Sequence, residues 1–244
     1  MAIFFCAACG KKETAPEKSA TAPQAQPSAA APSASAQAGA GTIKGEVIYK
    51  GKAAPATLSV TKDQEVCGQS KPDPSLVVSP EGKMQNAVVA IAAAPGSAPP
   101  APAKVVLDQK GCEYQPHVLA FPAGSTVEIL NPDGILHNVH TYSKINSPFN
   151  MAQPKFKKTM SVTFDKPEII QAKCDVHSWM SGWLFVAGTP HYAVTSAGGS
   201  FELTGLPAGD HVVEVWHETL GKQTKTVKLG ANETATVIFE FAGS

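Results

Sequence analysis

The stretch Ile169-Ile-Gln-Ala-Lys-Cys174-Asp-Val-His177-Ser-Trp-Met180-Ser-Gly-Trp183-Leu-Phe-Val-Ala187 sets two short apolar runs on either side of a polar loop. Neither run has the apolar spacing of a helix, and each has a strand's length, so the segment reads as strand, tight loop, strand. Working outward, similar runs recur with Gly, Pro and Asn between them: residues 42–49, 86–91, 104–107, 125–130, 137–142 and 160–164 before it, and 200–203, 211–216 and 233–241 after it. In one of them Met160, Val162 and Phe164 alternate with Ser161 and Thr163, which turns one face to a core. Many short strands without long helical periodicity predict an all-β chain built of β-sandwiches.

Residues Glu13 to Ala40 are almost entirely Ala, Pro, Ser, Thr, Gln and Lys. Such a segment cannot bury a core and is expected to be a disordered tether over residues 10–40. The 20 basic side chains balance the 20 acidic ones, and every one of them is a lysine. With no arginine fork for bidentate phosphate recognition, nucleic acid is not an expected partner.

Two separated segments carry metal-ligand chemistry: Asn131-Pro-Asp-Gly-Ile-Leu-His137-Asn-Val-His140, and the loop Cys174-Asp-Val-His177-Ser-Trp-Met180. Two imidazoles and a thiolate with a more distant thioether suit a copper site of the blue type. Cys174, His177 and Met180 can come from one loop between neighbouring strands, and His137 must then arrive from a distant strand. The loop holds one cysteine, which disfavours a dinuclear centre with two bridging thiolates. Zinc could take His, His and Cys, but Met180 argues against zinc as the intended metal. His140 lies three positions from His137 and is expected on the opposite strand face, in a structural role. His117 reads as a surface or packing residue, and His191, His211 and His217 have no partner at ligand spacing.

The stretch from Cys112 to Val186 resembles the cupredoxins, the blue copper proteins, and among them the amicyanin and plastocyanin group. The likeness rests on His137-Asn-Val-His140, on the Cys-x-x-His-x-x-Met loop, and on the lead-in Tyr114-Gln-Pro-His-Val-Leu-Ala-Phe-Pro-Ala-Gly124. It implies a Greek-key sandwich over residues 103–188, one copper per chain on His137, Cys174, His177 and Met180, and an Asn138 that braces the cysteine loop by hydrogen bonding. It also implies a one-electron carrier with no catalysis of its own. Electrons would pass through the exposed edge of His177 to a redox protein such as a c-type cytochrome or a periplasmic oxidoreductase, with Ser178, Trp179 and Trp183 lining the docking patch, although Trp183 could equally be core. Lys144, Lys155, Lys157, Lys158, Lys166 and Lys173 would steer an acidic partner if they cluster near that edge. A copper storage or delivery protein is the alternative, as is an adhesion or glycan-binding sandwich with a structural copper.

A second resemblance lies in Thr195-Ser-Ala-Gly-Gly-Ser-Phe-Glu-Leu-Thr-Gly-Leu-Pro-Ala-Gly209. It is similar to the carboxypeptidase regulatory-like domain, a small transthyretin-like β-sandwich, at Thr195, Gly199, Phe201, Leu203, Leu206, Pro207 and Gly209. Ser196 and His211 depart from that pattern, where the family often has Asp and Tyr. The opening strands of the same family look present at residues 41–47 and 86–89, which implies a sandwich split over 41–102 and 189–244 with the copper domain inserted. A plain tandem arrangement is the simpler alternative.

The start, Met1-Ala-Ile-Phe-Phe-Cys-Ala-Ala-Cys9, resembles the cleavage box of bacterial lipoproteins over residues 1–9, with Cys9 as the lipidated residue and the tether leading away from a membrane. The expected location is therefore extracytoplasmic, in the bacterial periplasm or at the cell surface. Processing would remove Cys6 and lipidate Cys9, leaving Cys67, Cys112 and Cys174. As Cys174 needs a free thiolate, Cys67 and Cys112 are expected to pair in an oxidising compartment. Both could instead be small buried hydrophobes.

Overall fold

Met1 and residues 40–92 and 100–243 are described by the structure, a computed structural model. The expected lipidation site Cys9 and the tether up to residue 39 lie outside the described residues. The chain enters on β1 (Gly41–Tyr49), makes an excursion through β2 (Thr57–Ser59), the one-turn helix α1 (Gln64–Cys67) and β3 (Ser70–Pro72), and returns on β4 (Val88–Ile91). Eight strands follow: β5 (Lys104–Asp108), β6 (Val118–Pro122), β7 (Ser125–Leu130), β8 (His137–Thr141), β9 (Asn150–Gln153), β10 (Thr159–Phe164), β11 (Glu168–Lys173) and β12 (Ser181–Ala187). The last five are β13 (Tyr192–Val194), β14 (Ser200–Leu206), β15 (Gly209–His217), β16 (Gly221–Leu229) and β17 (Thr234–Phe241). The expected all-β class is observed. No helix among the described residues is long and apolar enough to cross a membrane.

Strands β5 to β12 form one sandwich, with sheet orders β10-β7-β5 and β6-β12-β11-β8-β9. Alternating side chains supply its core: Val127 and Ile129 from β7, Met160 and Phe164 from β10, Ile170 and Ala172 from β11, Leu184 and Val186 from β12. The other sandwich takes strands from both ends of the described chain, in the orders β14-β1-β17 and β13-β4-β15-β16. Ile43, Val47, Phe201, Leu203, Val237 and Phe239 face Val89, Val213 and Val215 across its core. Strand β1 runs parallel to β17 from Thr42 beside Thr234 to Tyr49 beside Phe241. The excursion leaves this second core, because Val60 and Cys67 are buried in the core of the β5–β12 sandwich.

Most strands lie where apolar alternation predicts them. Strand β16 is an exception, because Gly-Lys-Gln-Thr-Lys-Thr-Val-Lys-Leu leaves all but one of its residues exposed or half-buried and so lacks a core stripe. It is an edge strand held by its ladder to β15.

Two polar contacts fix the frame around the Cys174 loop. At the start of β11, Glu168 accepts from the backbone N–H groups of Lys144, Ile145 and Asn146, the Ser143 hydroxyl and the Asn146 amide. Burial pushes its carboxyl up, but those donors outweigh it and hold it down at about 2. The turn after β8 is thereby tied to the start of β11, and the two strands pair with Ala172 beside Thr141 and Lys173 beside His140. Between the sandwiches, Glu218 reaches His117 Nε2 and accepts from Trp183 Nε1 at 2.8 Å, while the Trp183 and Trp216 rings stand 5.1 Å apart, edge to face.

Because the Glu168 carboxyl is depressed in the folded state, its contribution to stability is present above its ordinary value near 4.5 and is lost as pH falls through about 2. Thermal melts of wild type and Glu168→Gln are expected to differ most above pH 4.5 and to converge toward pH 2. A gap independent of pH contradicts this. Glu218→Ala leaves the Trp183 indole N–H without its partner and is expected to lower unfolding free energy by about 1–3 kcal/mol in urea titrations, with a smaller loss for Glu218→Gln.

Candidate metal centre

His137 opens β8, and Cys174 follows the last residue of β11, so the β8–β11 ladder brings two distant parts of the sequence together. The loop after Cys174 closes on itself: Cys174 N–H donates to the Met180 carbonyl at 3.1 Å, and Met180 N–H donates to the His177 carbonyl at 2.9 Å. This tight turn folds His177 back beside Cys174. Nδ1 of His177 lies 2.9 Å from Nδ1 of His137 and 3.9 Å from Cys174 Sγ. The nitrogen, nitrogen and sulfur donors all lie within 4.8 Å of one another. His137 and His177 are 0% exposed and Cys174 is 3% exposed. Met180 is buried in the same core as Cys174 and Trp179.

Asn138 sits next to His137 on β8 and reaches into the loop. Its Oδ1 accepts from Asp175 N–H at 2.7 Å and Val176 N–H at 3.3 Å, and lies 3.3 Å from Cys174 Sγ. Its amide nitrogen donates to Asn150 Oδ1 at 2.7 Å and to Asp175 Oδ2 at 3.3 Å, and its carbonyl accepts from the Tyr114 hydroxyl at 2.6 Å. One asparagine thus joins β8 to the cysteine loop.

The outer nitrogens of both imidazoles meet carboxylates: Nε2 of His137 lies 2.9 Å from Asp133 Oδ2, and Nε2 of His177 lies 2.9 Å from Asp63 Oδ2. A carboxylate accepts only, so each Nε2 carries a proton, and each Nδ1 is the nitrogen turned inward. The electrostatics follow from this arrangement. Burial alone would lower His137, but hydrogen bonding to Asp133 and Cys174 and the charge of both groups raise it above its ordinary value. Burial lowers His177, as do the charges of His137 and Lys62, against the pull of Asp63. Burial would raise the Cys174 thiol, yet His137 and the N–H groups of Asn138, His177 and Val176 hold it below its usual range. A buried thiol kept low beside two inward imidazole nitrogens is chemistry for a cation.

Cys67 and Cys112 form a disulfide, with 5.3 Å between their Cα atoms. The expected exposed edge of His177 is not found. The ring is fully buried because the excursion carries Asp63 over its Nε2. Trp183 is half-buried against Trp216 and Glu218, at the contact between sandwiches, and not in an open docking patch. Trp179 is buried, its indole donating to the Cys112 carbonyl at 3.1 Å, with its ring 5.0 Å from that of His177. Of that patch only Ser178 is exposed. His140 turns away from the site to Asp175 at 3.2 Å and stacks on Tyr142. His117 lies between Glu218 and the Ser181 carbonyl.

Two site residues escape the sequence reading. Asp133 stands four positions before His137 in a Pro-Asp-Gly turn, a spacing that could have drawn notice. Asp63 lies in a polar stretch with no motif, and only the path of the excursion brings it to His177.

No protein-family model matches the chain, and no curated protein matches it. Among solved structures it is similar in part to the copper-containing nitrite reductase from Thermus scotoductus, at 24% identity over 41% of this chain and 25% of that one, with a TM-score of 0.33. A purple cupredoxin from Nitrosopumilus maritimus gives 21% identity over 35% of this chain and 99% of that one, with a TM-score of 0.30. A reduced Cu(I) form of an amicyanin variant gives 23% identity over 41% of this chain and 98% of that one, with a TM-score of 0.31. The chain spans about a quarter of the length of the reductase.

Replacing Asn138 by Ala removes the oxygen that three groups of the loop share. The expected cost is on the order of 1–3 kcal/mol in thermal unfolding, with faster hydrogen exchange at the Asp175 and Val176 amides. Unchanged exchange at both amides contradicts the bracing role.

Proposed function

We propose that this chain is an extracytoplasmic one-electron carrier whose redox group is a single copper ion held by His137, Cys174, His177 and Met180. The observation that carries the reading is that two imidazole nitrogens face each other, Nδ1 to Nδ1 at 2.9 Å, beside a buried cysteine sulfur. Two acceptors turned on each other away from water repel unless a cation or a proton stands between them. Two nitrogens, a thiolate and a nearby methionine are the donor set that suits blue copper. Copper bound there supplies a Cu(I)/Cu(II) couple that moves one electron at a time.

The residues of the chain supply the rest. Asn138 holds the cysteine loop against β8, and burial keeps water from the thiolate. A storage or delivery role needs ready exchange with an outside ligand, and donors exposed by 0 to 3% favour retention instead. A partner such as a c-type cytochrome or a periplasmic oxidoreductase fits the carrier reading, and it meets the excursion around Asp63 instead of a bare imidazole edge. The disulfide supports an oxidising compartment, and a lipid on Cys9 would keep the carrier at a membrane. The same reading takes residues 103–188 as the copper sandwich, inserted into a carboxypeptidase regulatory-like one. Its support is that β1 and β4 pair with β13, β14, β15 and β17.

Copper-loaded wild type is expected to show an intense visible thiolate-to-copper band and a reversible one-electron wave in voltammetry, and Cys174→Ala is expected to lose both. Survival of either in the variant, or no band in the wild type, rejects the assignment.

A further inference from the structure

Asp63 stands where α1 begins, a position from which a side chain ordinarily turns back onto the first helical N–H groups. It makes no such cap. Its backbone is left-handed, with φ at 51°, and its carboxylate reaches His177 Nε2 at 2.9 Å. Asp133 makes the matching contact to His137. Both carboxylates lead to one covalent link. Cys67 ends α1 and donates its N–H to the Asp63 carbonyl at 2.9 Å, while Cys112 donates its N–H to Asp133 Oδ2 at 2.7 Å. Cys67 and Cys112 are the disulfide.

The strap formed by residues 57–73 has little else to hold it there. Its β2–β3 ladder is a two-stranded sheet of its own, paired with no strand of either sandwich. Its links to the β5–β12 sandwich include the Asp63–His177 contact, the disulfide, and the packing of Leu58, Val60 and Cys67, while Lys71 and Pro72 line a groove with Tyr114 and Met180.

We infer that Asp63 and Asp133 are the positioning residues that turn both imidazoles with Nδ1 inward, and that the Cys67–Cys112 disulfide is the tie that keeps both carboxylates in place and the strap closed over His177. This rests on the copper reading above. The collar acts on the rings from outside, through Nε2, and a cut in the disulfide frees the strap that carries one of the two carboxylates.

The test compares copper-loaded wild type with Asp63→Gly, Asp63→Asn and the paired Cys67→Ser, Cys112→Ser variant. It reads the rate at which a chelator removes copper and the position of the visible band. Glycine accepts the left-handed backbone without strain, so Asp63→Gly removes the carboxylate without straining the turn. It is expected to release copper on the order of 10–100-fold faster, with a shifted band. The role needs an acceptor oxygen and not a charge: Asp63→Asn still offers an oxygen to Nε2–H and tolerates the left-handed backbone, so it is expected to stay near wild type. The serine pair is expected to release copper faster as well, and adding Asp63→Gly to it is expected to add little, because both changes undo the same closure. Wild-type rate and band in Asp63→Gly overturn the positioning role. Full multiplication of the two effects overturns the tie. A wild type without the thiolate band overturns the copper reading and this inference together, whereas an intact band with unmoved variants overturns this inference alone. Circular dichroism of each apo protein reports its folding. If Asp63→Gly does not fold, the serine pair decides, since freeing the strap must by itself speed copper loss.

Discussion

The side-chain oxygen of Asn138 accepts from the backbone of Asp175 and Val176 and stands beside the Cys174 sulfur. Two internal hydrogen bonds close this loop on itself, but a loop between two strands has no ladder to fix its position, which must come from outside. Here it comes from β8, the strand that also carries His137. Because one residue pair, His137 and Asn138, both supplies a donor and sets the loop that supplies the others, the distances within the site are fixed by the pairing of β8 with β11. That pairing depends in turn on Glu168, which ties the turn after β8 to the first residue of β11.

The proposed ligands could be read from sequence because their chemistry is carried by residue type and short spacing. Cys174, His177 and Met180 must share a loop, and a strand beginning at His137 brings the fourth. The strands were legible for a similar reason, wherever a core face writes alternation into them. Strand β16 writes none, since most of its side chains face solvent, and its place is set by hydrogen bonds to β15. Asp63 was illegible for a different reason. Its role depends on where a short polar excursion travels, and that path is decided by a cystine and by burial of Val60 in a distant core. The exposed imidazole edge that resemblance implies fails at the same point, because a likeness to small single sandwiches says nothing of an excursion from elsewhere in the chain that comes to lie over them.

The excursion also changes how the two sandwiches relate. It leaves from β1, contributes to the other core, and returns through β4, so the boundary between the two hydrophobic cores does not follow the order of the chain. The turn after β15 makes the same connection, with Glu218 reaching His117 and Trp183 and the Thr219 hydroxyl donating to the Ser75 carbonyl at 2.6 Å. His117 in turn touches the Ser181 carbonyl, next to Met180. Polar groups that join the sandwiches are therefore one residue removed from the proposed copper ligands.

The parallel ladder of β1 with β17 bears on how the molecule comes into being. Strand β1 is made before β5 to β12, yet both its ladder neighbours, β14 and β17, are made after them. Strands β5 to β12 wait for nothing, since all their ladder partners lie among themselves. Synthesis thus supplies every strand of the β5–β12 sandwich before either ladder partner of β1, and until then both backbone edges of β1 are open to other nascent chains. Strand β14 closes one edge and β17 the other.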